Sequence, residues 1–266
     1  SADNDLEPTS VTVTDDVLSE AEDERPSITD AGSNLPEDDI ALAKRLKEGY
    51  EQVANEVHKI IVGQHEVVEQ VLLTLFVGGN SIITGVPGLA KTLLVNTMAR
   101  ALHLDFRRIQ FTIDLLPSDI LGSEILDEKS GGFRTHKGPI FTNLLLTDEI
   151  NRAAPKVQGA LLEAMQERKV TLGNETFLLP TPFLVIATQN PIEQSGTFEL
   201  PEAQLDRFML CHRLVYPTTG EEEEILHRNL NLGIQKVGSG AVARTEFDLV
   251  SRDAVGTEAD LVAAME

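Results

Sequence analysis

Lys91 and Thr92 follow Gly85-Val86-Pro87-Gly88-Leu89-Ala90, an order of residue types suited to holding a chain of phosphates. A lysine at the end of a Gly-rich turn can reach β- and γ-phosphate oxygens, and the neighbouring hydroxyl can bind Mg2+. Backbone N–H groups of such a turn point inward, and the helix that follows adds its partial positive charge; Leu93 continues that helix. The general pattern, G-x-x-x-x-G-K-[ST], has Gly immediately before the lysine, where this chain has Ala90. Because a Cβ disfavours positive φ, the turn is expected to place position 90 in helical dihedrals. Taken alone, the segment also fits a plain Gly/Pro turn with an incidental Lys-Thr.

Further along, an apolar run ends in adjacent carboxylates, NLLLTDEINRA, from Asn143. The run has the length of a buried strand. In phosphoryl chemistry Asp148 would hold Mg2+ through water, and Glu149 would orient and polarise the attacking water. A solvated acidic turn is the alternative, and it leaves the upstream phosphate turn unexplained. A third apolar run, TPFLVIAT, leads into Gln189-Asn190-Pro191. Asn190 could there bond the γ-phosphate or the lytic water, although Asn-Pro also starts ordinary turns.

The elements that must position these groups are readable from periodicity. Leu42, Leu46, Tyr50, Val53 and Val57 recur at helical steps, and a second apolar helix is expected over Val67 to Phe76. Ser81 to Thr84 is the strand entering the phosphate turn, Thr92 to Leu104 the helix leaving it, and Arg107 to Thr112 another strand. Gly131-Gly132 and Gly173-Asn174, each between β-rich arms, predict two hairpins. Pro155 to Arg168 predicts a helix with an apolar stripe through Val157, Leu161, Leu162 and Met165. Arg152 precedes it, either reaching a neighbouring subunit or forming a surface ion pair. Pro201 opens a short helix in LPEAQLDRF, with Phe208 starting the next strand. Arg207 lies between them, where an Asp206–Arg207 ion pair would be worth little.

GVPGLAKT, LLLTDEINRAAPKVQGALLEAMQERKVT, ATQNP and GTFELPEAQLDRFML together resemble the MoxR family of AAA+ ATPases, from about Leu42 to Tyr216. The resemblance implies an α/β P-loop NTPase core, a parallel sheet flanked by helices, with a C-terminal helical lid. It implies ATP and Mg2+ as cofactors. It assigns Asp148 and Glu149 to the second nucleotide motif, Asn190 to the first sensor and Arg207 to an arginine finger acting in trans. Val62, Gly63 and Gln64 would lie over the adenine. The hairpin around Gly131-Gly132 is similar to an insert facing the pore or the substrate, an ordinary surface hairpin being the alternative. The family forms homo-oligomeric rings, usually hexamers, that remodel or mature a client protein, often with a von Willebrand factor A-domain partner.

Composition limits the functions available. The chain has 266 residues and a net charge of −21, from 43 acidic and 22 basic side chains. Such a surface repels nucleic-acid backbones. A DNA-translocating relative would need basic pore residues, for which the insert offers Lys129, Arg134, His136 and Lys137. Low lysine content suggests adaptation to high salt, where screening shortens to about 3 Å at 1 M. No run of apolar residues is long enough for a membrane span, and no secretory pattern is present, so a cytoplasmic location is expected. Cys211, in RFMLCHRLVY, is expected to be a small buried hydrophobe.

Three regions follow: an acidic tail over 1–39 expected to be disordered, a core over 40–216 and a partial lid over 217–266. Glu221 to Leu230 would begin the lid, Val237 to Val242 reads as a small-residue linker, and Thr257 to Met265 as a short amphipathic helix. No second-sensor arginine is recognisable there. A nucleotide-binding module with little turnover therefore stands as an alternative to an ATPase.

Overall fold

The computed structural model describes residues 37–127, 132–191, 196–232, 234–237 and 240–243. The expectations for the acidic tail up to residue 36 and for a helix over Thr257 to Met265 lie outside these residues. The chain divides into two units, Ser1–Lys44 and Arg45–Glu266. In chain order the elements are α1 (Glu37–His58), α2 (His65–Phe76), β1 (Ser81–Thr84), α3 (Lys91–Ala101), β2 (Phe106–Gln110) and α4 (Pro117–Leu121). They continue with β3 (Gly122–Asp127), β4 (Gly132–Lys137), β5 (Leu144–Asp148), α5 (Pro155–Glu167), β6 (Lys169–Leu172) and β7 (Glu175–Leu178). Last come β8 (Leu184–Gln189), α6 (Glu202–Leu205), β9 (Leu210–Arg213), α7 (Thr219–Leu232), β10 (Ile234–Val237) and β11 (Gly240–Ala243).

Five strands form one parallel sheet in the order β2-β5-β8-β1-β9. Its middle strands are apolar on both faces because helices cover both. Leu144, Leu146, Leu184, Ile186 and Ile83 pack with Val71, Leu72, Leu94 and Met98 on one side. Leu145, Val185, Ala187 and Ile82 pack with Leu161, Leu162, Phe111 and Phe183 on the other. Alternation along each strand thus feeds two cores from one run of sequence.

Two buried asparagines fasten the amino end of the sheet. Asn80 Oδ1 accepts from the Val185 N–H at 2.9 Å, and its carbonyl accepts from the Met209 N–H at 2.7 Å. Asn143 Oδ1 accepts from the Asp105 N–H at 3.2 Å, and its Nδ2 donates to the Pro182 carbonyl at 3.0 Å. These bonds satisfy backbone groups that have run past the ladder.

Both hairpins expected from Gly131-Gly132 and Gly173-Asn174 form, as β3–β4 and β6–β7. They are joined by Lys137, whose Nζ lies 4.9 Å from the Phe141 ring centre and 4.7 Å from that of Phe177.

Three local expectations are corrected. Cys211 is exposed, because β9 is an edge strand and the position turned into the protein is His212. That strand begins at Leu210, since Phe208 closes the turn after α6 and is buried there. The stretch read as a linker, Val237 to Val242, overlaps two strands that pair antiparallel, β10 and β11. No helix among the described residues is long and apolar enough to cross a membrane.

Candidate active site

The phosphate turn leaves the carboxyl end of β1, beside the ends of β5 and β8, so one sheet edge carries all three sequence-predicted groups. The Gly85 N–H donates to the Gln189 carbonyl, which seats the turn against β8 one residue before Asn190. Gly85 also packs closely on Leu214, where an added Cβ would come within 3.0 Å of the Leu214 Cβ. Val86 and Leu89 are half-buried, while Pro87, Gly88 and Ala90 form the exposed crest.

Gly88 has φ 87° and Ala90 has φ 54°, ψ 22°. The right-handed helical dihedrals expected at position 90 are therefore not adopted. Ala90 is the residue before the helix and takes the left-handed conformation itself, at a cost of about 1–2 kcal/mol for a residue with a Cβ. Alternation of left-handed and extended or right-handed residues is the backbone pattern from which anion-binding turns are made. Helix α3 begins at Lys91 with no capping side chain, so its first N–H groups have no partner within the helix. An uncapped, inward-turned helix start fits a polyphosphate.

Lys91 Nζ bends back to donate to the Gly85 carbonyl at 2.5 Å and the Val86 carbonyl at 3.2 Å. Burial lowers its pKa below the ordinary lysine value, with Asp148 and Glu149 opposing that shift. The Thr92 hydroxyl donates to Asp148 Oδ2 at 3.4 Å. A hydroxyl and a carboxylate converging beneath the turn form a hard oxygen pair of the kind that Mg2+ uses.

The carboxylates are held by Thr188, Arg108 and Gln110, whose roles the sequence did not mark, and by Arg152. Asp148 is buried; its Oδ1 accepts from the Thr188 hydroxyl at 2.6 Å, and its Oδ2 accepts from Arg108 Nε at 2.8 Å. Glu149 has φ 58°, ψ 50°, which turns it out of the strand line. Its Oε2 accepts from Gln110 Nε2 and from Arg152 Nη1, both at 2.9 Å. Arg152 thus pairs with Glu149 in its own chain. Arg108 and Gln110 share one face of β2, and alternation in RRIQ shows that much; their partners depend on which strand lies beside β2.

Beside the turn lies a cavity of about 190 Å3, lined by apolar Ile60, Ile61, Val62, Leu93, Leu214 and Ile225. Gln64, Gly88 and Ala90 also face it, so one cavity joins the expected base-binding segment to the phosphate turn. Gly63 and Gln64 have φ 65° and 52°, and Gln64 Nε2 donates to the Val215 carbonyl at 2.8 Å. Apolar walls with a few polar groups at the rim are the usual lining of a site for a flat heterocycle. Leu214 and Ile225 were not foreseen; they come from β9's exit and from α7, far away in sequence. Arg228 of α7 donates to the carbonyls of His58 and Lys59, both at 2.9 Å, closing the end of α1.

Asn190 is buried at the end of β8 and lines a separate cavity with Asn151, Thr197 and Glu199. Arg207 is not part of this constellation. It is exposed at the amino end of β9, with Nη2 donating to Gln166 Oε1 at 2.8 Å and Nη1 to the Ala203 carbonyl at 2.9 Å, instead of pairing with Asp206. The four-residue β9 separates it from the edge where the phosphate turn lies, a rise of roughly 13 Å.

Residues 80–210 match the ATPase family associated with various cellular activities (AAA). Chaperone MoxR1 of Mycobacterium tuberculosis is 53% identical over 178 residues, which is 67% of this chain and 47% of that protein. YeaC of Bacillus subtilis is 41% identical over 77% of this chain and 64% of its own length. Protein MoxR of Methylorubrum extorquens is 34% identical over 58% of this chain and 46% of its own length. The chain thus spans about half to two thirds of the length of these three relatives. A crystal structure from Cytophaga hutchinsonii, described as an ATPase, superposes with a TM-score of 0.69 at 41% identity, covering 86% of this chain and 66% of that one. The parallel sheet, the phosphate turn with its carboxylate pair, and these relatives agree: the chain belongs to the MoxR family of AAA+ ATPases.

Proposed function

We propose that the protein hydrolyses ATP with Mg2+ in a homo-oligomeric, hexameric ring and uses the cycle to remodel or mature a client protein. The observation that carries this reading is the meeting, on one sheet edge, of the uncapped start of α3, Lys91, Thr92 and the Asp148-Glu149 pair. Val62, Gly63 and Gln64 hold the base. The turn from Gly85 to Ala90 and the first residues of α3, through Leu93, hold the phosphates. Thr92 and Asp148 hold Mg2+, which when bound would neutralise charge on the β- and γ-oxygens. Glu149 orients the water, and its left-handed backbone aims the carboxylate off the strand axis. Asn190, one residue beyond the strand bonded to the turn, contacts the γ-phosphate side.

Arg207 sits at the far end of the sheet from its own phosphate turn, which suits service to a neighbouring subunit. The chaperone name of the relative at 53% identity supports a protein client. A von Willebrand factor A-domain partner and a cytoplasmic setting rest on the family resemblance, and a high-salt setting on the acidic composition. The core spans 40–216 and the lid begins at 217, with α7 already lining the base cavity through Ile225.

The test is Mg2+-dependent ATP turnover against protein concentration in molar KCl, for wild type, Glu149→Gln and Arg207→Ala. Turnover rising steeply with concentration and lost in both variants is expected. Nucleotide binding without turnover in the wild type would overturn the hydrolytic reading in favour of a binding module.

A further inference from the structure

Both oxygens of Asp148 are already engaged by residues of this chain. Oδ1 takes the Thr188 hydroxyl at 2.6 Å, and Oδ2 takes Arg108 through Nε at 2.8 Å and Nη2 at 2.6 Å. Oδ2 is also the oxygen that the Thr92 hydroxyl faces. A magnesium ion held by Thr92 and, through water, by Asp148 would draw on the same oxygen that Arg108 occupies. Two cations drawn to one carboxylate oxygen repel each other, so each weakens the other's hold.

We propose that Arg108 and Mg2+ compete for Asp148 Oδ2, making Arg108 a positioning residue that sets how much Mg2+ the site requires. The proposal rests on the reading of Thr92 and Asp148 as the magnesium holders. The two partners differ in a way that suits exchange: the Arg108 side chain is 47% exposed, whereas that of Asp148 is 9% exposed. The guanidinium can turn into water at small cost, but the buried carboxylate must keep a positive partner. Arg108 thus satisfies Asp148 until the metal does.

Its departure has a second effect. Arg108 Nη2 donates to Gln110 Oε1 at 3.0 Å, and Gln110 Nε2 donates to Glu149 Oε2. When Arg108 leaves, Gln110 loses the bond that fixes its amide, and the hold on Glu149 loosens. Metal binding at one carboxylate is in this way felt at the other.

The experiment measures binding of a fluorescent, non-hydrolysable ATP analogue as MgCl2 is titrated from an EDTA baseline, together with thermal unfolding in EDTA and in MgCl2. The full chain is compared with Arg108→Met, Arg108→Lys and Arg107→Met, the last removing the same charge from the opposite face of β2. If Arg108 holds Oδ2 most of the time, its removal should lower the half-saturating Mg2+ concentration by about tenfold or more. Arg108→Met should also melt earlier than wild type in EDTA and recover in MgCl2. Arg108→Lys, which keeps a charge and serves if the methionine variant does not fold, should show a smaller decrease. An unchanged or raised Mg2+ midpoint in the Arg108 variants overturns the proposal, as does an equal decrease in Arg107→Met. If analogue binding in the wild type ignores Mg2+, or Asp148→Asn keeps the wild-type dependence, it is the magnesium reading that fails.

Discussion

At the carboxyl ends of β1, β5 and β8 the chain ties its polar groups to one another: Arg108 to Asp148, Gln110 and Arg152 to Glu149, Lys91 to the turn's carbonyls. At the amino end of β9, Arg207 reaches, among the described residues, a glutamine of α5 and a carbonyl of α6. The first region spends backbone strain, at Ala90 and Glu149, to aim its groups at one point. The second leaves a charged side chain exposed on relaxed helix-turn geometry. A group aimed within its own subunit must be built precompressed, whereas one offered outward can rely on a partner to complete its surroundings.

The contrast can be broken most forcefully at Arg207. Arg207→Ala is expected to lower turnover about 10³-fold or more, as for other arginines that act on a transferred phosphoryl group. Mixing it with Glu149→Gln should restore part of the activity, because a neighbour's arginine can serve an intact site; no restoration in a titrated mixture would place Arg207 in the same functional unit as Glu149. Next in size, Glu149→Gln alone should reduce kcat by about 10²- to 10⁴-fold while ATP binding persists, measured by single-turnover kinetics beside equilibrium binding.

Smaller effects concern the strain. Ala90→Gly removes the Cβ from a left-handed residue and should stabilise the fold by about 1 kcal/mol, seen as a Tm raised by about 2–4 °C. A lowered Tm would mean that the Cβ contributes packing that outweighs its strain. The smallest expected effect lies between the two regions, at His212 on β9. Its Nδ1 lies 3.1 Å from Gln70 Oε1, its Nε2 is buried without a partner, and burial lowers its pKa. The folded chain thus favours the neutral ring, while the unfolded chain binds a proton near pH 6.5. Stability from this group is complete above that pH and is lost as pH falls below it. Chemical denaturation at stepped pH should show the decline in the wild type and less of it in His212→Gln.

Much of the active edge was legible in the sequence because each strand announces itself as an apolar run and delivers its polar residues at the tip. The turn, the carboxylate pair and Asn190 needed only local order. Arg108 and Gln110 did not emerge because their meaning depends on β2 lying beside β5, a pairing between segments with α4 and a hairpin between them. Ala90 misled through propensity: the left-handed cost argues against that conformation, yet the surrounding turn imposes it. Cys211 misled through its apolar neighbours, since composition cannot say that β9 is an edge and that alternation turns His212 inward. Leu214 and Ile225 line the cavity beside the turn from beyond β9, the last strand of the five-stranded sheet, where no local pattern marks them.

Asn80 and Asn143 bond backbone groups at the amino end of the sheet, and from that end the chain counts upward to its chemistry. Four residues of β1 lead to the turn, five of β5 end on Asp148, and six of β8 end at Gln189. The two amides therefore act as the zero of a ruler with divisions of about 3.3 Å. A single residue inserted between zero and tip would both raise the group at the tip by one division and turn it to the opposite face. Strand length above the asparagines is for this reason as much a part of the candidate site as the side chains it delivers.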